Sequence, residues 1–542
     1  MAGSPAPAAT SPRPNLLLIV ADDMGFSDLG SFGGEIATPN LDELALGGVR
    51  LTNFQAAPMC SPSRAMLLTG VDPHKAGFGN MLEELSPNQQ GQPGYEGYLT
   101  DNVVTVATLL RDAGYRTYLS GKWHLSRKGR SLASDRGFER TFALNSGGAS
   151  HFADMRPAYA PSPDIKADYV QDGQQLTALP DTFEYSSQFY ADQMIRYLGD
   201  GGEGDAPFFA LLSFTAPHWP LQAPRDAITR YAGRYNAGYD ELLAERLARM
   251  KTLGLVPENH VPVPRPPKGQ PWSTLSDEQR AVEARAMEVY AAMIDEMDRH
   301  TGRVLDHLRS TGRLDNTVVV FLSDNGAEGH DLDETWPGDL FPKIRQTIDE
   351  SFDFSFAAMG HPGSYTLYGP NWARAAAPTF RLHKGFPTEG GTRTAAFAYY
   401  PQAFPAGRIS DALVSIKDIP VTLLTLAGVE APAGEYAGRE VEPMTGTSIV
   451  PLLTADTSQL PERTLGLELM GKRAIRQGPW KLVHMPPPYG SDEWQLFDLT
   501  SDPGETRDLA AARPEVLTRM KSLWEVYATE NGVIIPDWVS GY

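Results

Sequence analysis

The chain has 542 residues, 41% of them hydrophobic, which is enough to form a large domain with a smaller one beside it. Its 67 Asp and Glu residues outnumber 47 Lys and Arg residues, and the net charge of −20 argues against binding to nucleic acid or to anionic membranes. The single cysteine, Cys60, excludes an internal disulfide framework and a multi-cysteine zinc site.

The first 13 residues are rich in Ala, Pro and Ser, and we expect them to form a disordered tail. They lack the basic and apolar segments of a secretory signal peptide. The first apolar run, Leu16–Ala21, is far shorter than the ~20 residues that span a bilayer. We therefore expect a cytoplasmic protein, or an exported one if a leader has been removed, and no membrane partner.

Short apolar runs that alternate with helical patterns predict the first domain, residues 14–428. Helices are predicted at Asn102–Ala113 and at Ser276–Ser310, whose apolar stripe includes Val282 and Tyr290. Alternating strands and helices predict an α/β domain with a large, mostly parallel sheet flanked by helices. The predicted strands are Leu16–Val20, Arg116–Ser120, Phe208–Phe214, Val318–Leu322 and Thr394–Tyr400.

Three long segments, residues 145–180, 220–272 and 327–385, are rich in Pro, Gly and aromatic residues and resist assignment to regular elements. Loops of this length are usually functional and often line a pocket. The aromatic residues of the third segment could line an apolar substrate cleft, or they could pack the loop onto the domain. They are Trp336, Phe341, Phe352, Phe354, Tyr365, Tyr368 and Trp372.

Residues 429–542 differ in character and predict a smaller α+β subdomain. Short alternating runs at Arg473–Arg476, Trp480–His484 and Trp494–Asp498 predict a small antiparallel sheet. A helical pattern at Pro514–Glu530 closes the chain and predicts a helix packed on that sheet.

Polar side chains follow four of the predicted strands. Because ligands bind at the carboxyl ends of the strands in doubly wound sheets, we expect these side chains to meet at one edge. An Asp after a strand is often only a turn former, so their coincidence carries the prediction. The residues are Asp22 and Asp23, Lys122 and His124, His218, and Asp324 and Asn325.

Four of these residues, Asp22, Asp23, Asp324 and Asn325, offer only oxygen ligands. Hard cations prefer oxygen, whereas zinc usually draws on His or Cys. Calcium tolerates irregular geometry and carboxylates from distant loops, so we predict a calcium site, with magnesium as the second choice.

Cys60 precedes a helical pattern that begins near Pro62. A helix N-terminus favours an anion, so an unmodified thiol there is expected to have a lowered pKa and to be nucleophilic. His124 and His218 could act as bases, which keeps a Cys–His hydrolase open.

The segment Cys60-Ser61-Pro62-Ser63-Arg64, followed by Leu68-Thr69-Gly70, resembles the signature of type I, formylglycine-dependent sulfatases. The similarity extends over nearly the full chain and is greatest to bacterial arylsulfatases. The other matching motifs are Asp22-Asp23 in ADDMGFSDLG, Lys122-Trp123-His124 in GKWHLS, His218 in APHWPLQAP, Asp324-Asn325-Gly326 in LSDNGAEG, and Lys384 in HKGFPTEGGTR.

The resemblance implies an alkaline-phosphatase-like fold and hydrolysis of sulfate monoesters, aryl sulfates foremost. It implies a maturation enzyme that oxidises Cys60 to formylglycine, whose hydrate would attack sulfur with Asp324 as base and form a covalent sulfoenzyme intermediate. Asp22, Asp23 and Asn325, together with Asp324, would bind calcium.

The resemblance implies roles for five further side chains. Arg64 and Lys122 would hold and polarise the nucleophile. His124 would serve the breakdown of the covalent intermediate. His218 and Lys384 would bind sulfate oxygens and assist the leaving group, although Lys384 precedes its predicted strand and its placement rests on the resemblance alone.

Two alternatives stay open. One is a phosphomonoester, phosphodiester or phosphonate hydrolase of the same superfamily, but Asn325 stands where two-metal members tend to carry a His. The other is a non-catalytic binding protein that retained the fold, which loss of a central residue would indicate. Under the sulfatase resemblance, the expected ligand is a small-molecule sulfate ester.

Overall fold

A computed structural model describes residues 13–200 and 206–538. Residues 1–12 of the predicted tail lie outside the described residues. Arg13, the last residue of that predicted tail, donates a hydrogen bond to the Ala113 carbonyl at 2.8 Å. Within the described part of the chain, no helix has both the length and the apolar character needed to cross a membrane.

Strands and helices follow one another along the chain as far as residue 427. The strands are β1 (Asn15–Ala21), β2 (Val49–Gln55), β3 (Arg116–Lys122), β4 (Arg140–Leu144), β5 (Tyr169–Gln171), β6 (Gln174–Gln175), β7 (Phe208–Ser213), β8 (Thr317–Ser323), β9 (Arg393–Tyr399), β10 (Arg408–Ser410), β11 (Val414–Ser415), β12 (Glu435–Tyr436), β13 (Arg439–Glu440), β14 (Thr464–Leu469), β15 (Lys472–Gln477), β16 (Trp480–His484) and β17 (Trp494–Asp498). The helices are α1 (Pro39–Leu46), α2 (Cys60–Thr69), α3 (Pro73–Ala76), α4 (Val106–Asp112), α5 (Ser186–Gly199), α6 (Arg225–Arg230), α7 (Tyr239–Thr252), α8 (Asp277–Ser310), α9 (Leu332–Thr335), α10 (Pro342–Ser351), α11 (Gly369–Ala376), α12 (Glu389–Thr392), α13 (Asp418–Ala427), α14 (Val450–Leu453) and α15 (Pro514–Asn531).

Among the described residues the main sheet contains eleven strands in the order β10-β2-β9-β8-β1-β7-β3-β4-β5-β6, with β11 beside β2. β1 lies at its centre and pairs in parallel with β7 and β8. β3 continues the parallel region between β7 and β4. β9 runs antiparallel to both β8 and β2, so the sheet is mixed but mostly parallel. The predicted α/β fold class is confirmed.

The sheet is buried on both faces, which explains why its central strands are continuously apolar. Leu17 and Ile19 of β1 belong to a hydrophobic core that also contains residues of α5 and α8. The alternate residues, Leu16 and Leu18, belong to a second core with residues of α2, α4 and α13. Helices thus cover both faces and leave the carboxyl edge of β1, β3, β7 and β8 as the place where polar side chains meet.

Helix α8 shows how the sequence encodes an element. Ser276 and Gln279 form a reciprocal capping box at its start. Tyr290 and most of the predicted stripe are buried, but Val282 is 44% exposed, so its placement in that stripe was wrong. Near this end the helix extends beyond the core it covers.

Several elements departed from the prediction. β2 is a fully buried strand that contains Arg50, Thr52 and Asn53, and these polar residues are the reason why it was not predicted. The predicted loop 220–272 contains α7, a 14-residue helix. The loop 327–385 also contains helices, and its Trp372 packs edge-on against Tyr239 of α7 at 5.4 Å between ring centroids. Part of that aromatic set therefore packs the loop onto the domain.

The C-terminal region contains the predicted small antiparallel sheet, in the order β14-β15-β16-β17. Helix α15 packs on it through Met520 and Trp524, which share a hydrophobic cluster with Ile475 and Leu482. β14 was not predicted, because its residues are only partly buried over most of its length. The boundary near residue 428 stays a prediction.

A buried ionic cluster fixes the segment that follows β1. Arg246 of α7 donates to Asp28 at 2.5 Å and to Glu35 at 2.8 Å, and all three side chains are almost fully buried. Burial alone would raise the pKa of Glu35, but Arg246 lowers it to about 2. Asp28 also accepts from the Gly25 amide at 2.7 Å, close to the end of β1.

We expect Arg246→Ala to lower the free energy of unfolding by about 3–5 kcal/mol, because it leaves two buried carboxylates without their cation. Urea unfolding followed by fluorescence measures the change. Arg309→Ala is the matched control, since Arg309 pairs with Asp306 and Glu43 at the surface and should contribute less than about 1 kcal/mol. Equal destabilisation of the two variants would contradict this reading.

Candidate functional site

The structure brings together all the side chains that the sequence singled out, at the carboxyl edge of the central strands. Those after the strands arrive from β1, β3, β7 and β8, and three others arrive from α2, which carries two of them, and from the loop before α12. His124 is partly exposed, and the other side chains are buried. The full set is Asp22, Asp23, Cys60, Arg64, Lys122, His124, His218, Asp324, Asn325 and Lys384.

The two aspartates after β1 each have a lysine partner. Lys122 donates to both oxygens of Asp22, at 3.0 and 2.7 Å. Lys384 donates to Asp23 Oδ2 at 2.8 Å. Burial raises the pKa of Asp22 to about 7, although Lys122 opposes the shift. Burial likewise raises the pKa of Asp23, against the effect of Lys384.

Arg64, on the first turns of α2, contacts the ends of four strands. Its Nε donates to Asp324 Oδ2 at 2.9 Å and its Nη2 lies 3.5 Å from Asp22 Oδ1. Its Nη1 donates to the Lys122 carbonyl and to Ser213 Oγ. Burial lowers the pKa of Arg64, but the carboxylates of Asp324 and Asp22 raise it by more. The guanidinium therefore stays charged and fixes the relative positions of β1, β3 and β8.

Cys60 is the first residue of α2 and is 1% exposed. Its Sγ lies 3.5 Å from Asp23 Oδ1. Burial raises the pKa of the thiol well above its usual value, and Lys122 and Lys384 do not offset this. The expected lowering of the thiol pKa was therefore wrong, because desolvation outweighs the helix N-terminus. An unmodified Cys60 is a poor thiolate nucleophile, which argues against a Cys–His hydrolase.

His218 lies between the aspartates and Lys384. Its Nε2 is 3.6 Å from Asp23 Oδ2 and 3.4 Å from Lys384 Nζ. Its Nδ1 lies 2.6 Å from the Trp219 carbonyl oxygen, which can only accept, so Nδ1 carries the proton. Burial, followed by the charge of Lys384, lowers the pKa of His218 well below its usual value. The ring is neutral and presents the Nε2 lone pair to the site.

His124 follows β3 with a positive φ of 56°, a left-handed backbone that a non-glycine residue adopts at some cost. Burial, followed by the charge of Lys122, lowers its pKa well below the usual value. Its Nδ1 is buried and has no hydrogen-bond partner among the described residues. The ring is therefore neutral, and its unsatisfied nitrogen can accept a proton, although the lowered pKa makes it a weak base in this structure.

The oxygen-bearing side chains fit a hard divalent cation. Asn325 Nδ2 donates to Asp23 Oδ1 at 2.7 Å, while Asn325 Oδ1 is buried without a hydrogen-bond partner among the described residues. The Asp23 backbone amide donates to Asp324 Oδ1 at 3.3 Å, which holds the ends of β1 and β8 together. Ligand atoms of Asp22, Asp23, Cys60 and His218 also lie within 4.8 Å of one another. Three carboxylates and an unsatisfied amide oxygen are the donor set that calcium or magnesium prefers.

A small cavity of about 10 Å³ lies above Cys60. His124, His218 and Lys384 line one part of it. The remaining lining residues were not predicted as site residues, apart from Trp336, for which the sequence allows either a place in a substrate cleft or a packing role in the loop. They are Met59, Met81, Glu83, Glu84, Gly147, Tyr159, Trp219 and Trp336.

Gly147 is needed where the walls of this cavity come together. A Cβ at Gly147 would lie 2.0 Å from the Tyr159 hydroxyl and 3.0 Å from His124 Nε2. A Cβ at Gly148 would lie 3.0 Å from His218 Nδ1. No sequence motif points to Tyr159 or Glu83, whereas Trp219 stands beside His218 and could have been found by that adjacency.

The environment of Cys60 makes a prediction about thiol chemistry. In protein expressed without oxidation of Cys60, we expect the thiol to react at least tenfold more slowly with Ellman's reagent in the native state than in urea, because burial both shields it and raises its pKa. The chain has one cysteine, so the measured absorbance reports this site alone. Equal rates in the two states would contradict the buried placement.

Comparison with known proteins shows which family the chain belongs to. The Sulfatase family model matches residues 14–429, and the model described as N-sulphoglucosamine sulphohydrolase, C-terminal, matches residues 381–527. An uncharacterised sulfatase of Schizosaccharomyces pombe is 43% identical over 538 residues, covering 98% of this chain and 96% of that protein. An arylsulfatase of Klebsiella aerogenes is 40% identical over 448 residues, covering 82% of this chain and 93% of that protein.

Among solved structures, the phosphonate monoester hydrolase of Agrobacterium radiobacter has the same fold, with a TM-score of 0.56 and 20% identity. The superposition covers 96% of each chain. This likeness concerns the fold, whereas the family model and the two relatives concern the chemistry. The chain belongs to the Sulfatase family and is a sulfuric ester hydrolase.

Proposed function

We propose that this sulfatase hydrolyses aryl sulfates and that it uses a formylglycine at position 60 and a calcium ion. The observation that carries the proposal is the convergence of Arg64, Lys122 and Lys384 with two neutral histidines around Cys60. Positive groups held in a water-poor site stabilise the charge that develops on a transferring sulfuryl group.

The aryl preference is supported by the walls of the cavity above Cys60. Tyr159 and Trp336 pack with ring centroids 4.7 Å apart, and Trp219 lies 6.0 Å from Tyr159. The enclosed space is only about 10 Å³, so the support for an aryl group comes from the aromatic character of the walls. A flat, compact alcohol half fits these walls better than an extended oligosaccharide.

The side chains of this chain suit distinct tasks in sulfate ester hydrolysis. Lys384 is the donor placed to bind a sulfate oxygen and to protonate the leaving oxygen, while neutral His218 holds the ammonium from its other side. Lys122 and Arg64 polarise the group at position 60. The unsatisfied Nδ1 of His124 is placed to accept a proton in the second half of the reaction.

The proposed modification supplies what a thiol lacks. The hydrated aldehyde of formylglycine offers two hydroxyls on one carbon, one to attack sulfur and one whose deprotonation expels sulfate. Because the pKa of the Cys60 thiol is raised by burial, the unmodified residue would be a weak nucleophile. The proposal therefore includes a maturation enzyme that acts on Cys60 before folding buries the segment.

The proposed calcium ion would be held by Asp22, Asp23, Asp324 and Asn325. When bound, it would neutralise charge on the sulfate oxygens and on the nucleophile. Two observations support a cation there. Asn325 Oδ1 is buried without a hydrogen-bond partner among the described residues. Burial raises the pKa values of Asp22 and Asp23, and a cation beside them would offset that cost of burying their negative charge.

The reaction class is tested by kcat/KM for 4-nitrophenyl sulfate and 4-nitrophenyl phosphate, with mass analysis of the Cys60 peptide on the same sample. We expect the formylglycine mass and a preference for sulfate of at least about 100-fold. Cys60→Ala should lose nearly all activity, since no other group replaces the nucleophile.

Ser63→Ala is the matched control on the same helix, because Ser63 donates to the Ala57 carbonyl and does not line the cavity. A preference for phosphate would overturn the sulfatase specificity in favour of a phosphoester or phosphonate hydrolase. Full activity of Cys60→Ala would overturn the role of position 60.

The metal assignment makes a separate prediction. Equilibrium dialysis followed by elemental analysis should give one calcium per chain, and calcium at 100 times its dissociation constant should stabilise the fold by about 2.7 kcal/mol. Asn325→Leu should weaken calcium binding by at least about tenfold, because it removes a ligand oxygen. Unchanged calcium content in this variant, or magnesium bound in preference to calcium, would contradict the assignment.

A further inference from the structure

The cavity above Cys60 has a carboxylate in the wall away from the strand ends. Glu83 lies in the 3₁₀ turn Leu82–Glu84 and lines the same cavity as Cys60, His124 and Lys384. The Tyr159 hydroxyl donates to Glu83 Oε1 at 2.6 Å. The sulfate ester hydrolysis described above does not use this carboxylate.

The turn that carries Glu83 is firmly attached to the catalytic segment. Asn80 Nδ2 donates to the Glu84 carbonyl at 2.9 Å and closes the turn. Ser61 Oγ, next to the nucleophile position, lies 2.9 Å from Met81 Sδ. Met81 also packs in a small buried cluster with Met59. The position of Glu83 relative to Cys60 is therefore set by packing.

The neighbouring carboxylate has a different environment. Glu84 is fully buried, and its charge raises the pKa of Lys472 against the effect of burial, which lowers that pKa to about 8. Lys472 in turn donates to the Gly385 carbonyl at 3.2 Å, next to Lys384. Glu84 therefore stabilises Lys472, which holds the loop that carries Lys384. Glu83 is the carboxylate that remains as a candidate to contact the substrate.

A carboxylate in this place raises an electrostatic problem. Burial raises the pKa of Glu83, against the Tyr159 hydroxyl and the charges of Lys122 and Lys384, the lysines at the sulfate end of the site, so the ionised carboxylate needs a further cation beside it. A group that senses these lysines also senses the anion they are expected to bind, and like charges in a water-poor cavity repel strongly. A positive charge on the substrate would remove the conflict.

The aromatic walls supply the other half of a cation site. Tyr159 stands between Glu83 and the indoles, with its ring centroid 4.7 Å from Trp336 and 6.0 Å from Trp219. Ring faces attract ammonium groups, most strongly when water is excluded. A carboxylate beside several aromatic rings is a suitable environment for an alkylammonium group.

We propose that the preferred substrate carries a protonated amine on its alcohol half, and that Glu83 determines this specificity with Tyr159 and the two indoles. The inference rests on the proposed function and deepens it. The substrate class is an aryl sulfate with an ammonium group, zwitterionic overall, whose sulfate meets the lysines while its ammonium meets Glu83.

The test compares kcat/KM for tyramine O-sulfate and 4-ethylphenyl sulfate. The two esters have nearly the same shape and leaving groups of similar acidity, and they differ in the ammonium. We expect the wild-type enzyme to prefer tyramine O-sulfate by at least tenfold. Glu83→Gln should bring the ratio of the two values to about one, with the loss confined to the cationic ester.

The neutral ester reports whether Glu83→Gln still folds and turns over, and Glu435→Gln at the exposed strand β12 is the matched control. A wild-type ratio near one, or a ratio that survives Glu83→Gln, would overturn the proposal and leave the aryl sulfatase function standing. If neither ester is hydrolysed by protein whose formylglycine has been verified by mass, the proposed aryl function fails, and this inference fails with it.

Discussion

Asp22, Asp23 and Asp324 lie buried at one edge of the sheet, and each has a positively charged side chain within hydrogen-bonding distance. Charges removed from water are costly unless they are closely paired, and removing one partner leaves the other uncompensated. Arg64, Lys122 and Lys384 supply that pairing, so the geometry of the whole site depends on how the fold delivers three cations to three carboxylates.

The fold meets this requirement through the parallel strands at its centre. β1, β3 and β8 end at the same edge, so Asp22, Lys122 and Asp324 come together without long loops. Arg64 then bonds to all three strand ends from α2, whose first residue is Cys60. Asp23 has a positive φ of 66°, which shows that local backbone strain is tolerated here because the surrounding contacts hold it.

The sequence could predict the strand-end residues, because apolar runs mark buried strands and the polar residues after them stand out. It could not predict Glu83 or Tyr159, because both lie in irregular segments and meet only through tertiary packing. β2 was not predicted from the sequence, because it contains a buried arginine. Arg50 is accommodated there by a hydrogen bond from its guanidinium to the Ser31 carbonyl. The thiol pKa was predicted in the wrong direction because burial cannot be read from a helix N-terminus.

The proposed function requires that the buried carboxylates hold a cation while Lys122 and Lys384 turn from the aspartates to bind sulfate. A crystal structure of the matured protein with calcium and sulfate tests it most directly. We expect calcium within 2.3–2.6 Å of oxygens from Asp22, Asp23, Asp324 and Asn325, with sulfate bound by Lys122, His218 and Lys384. A structure in which both lysines keep their bonds to the aspartates, and sulfate binds elsewhere, would contradict the account.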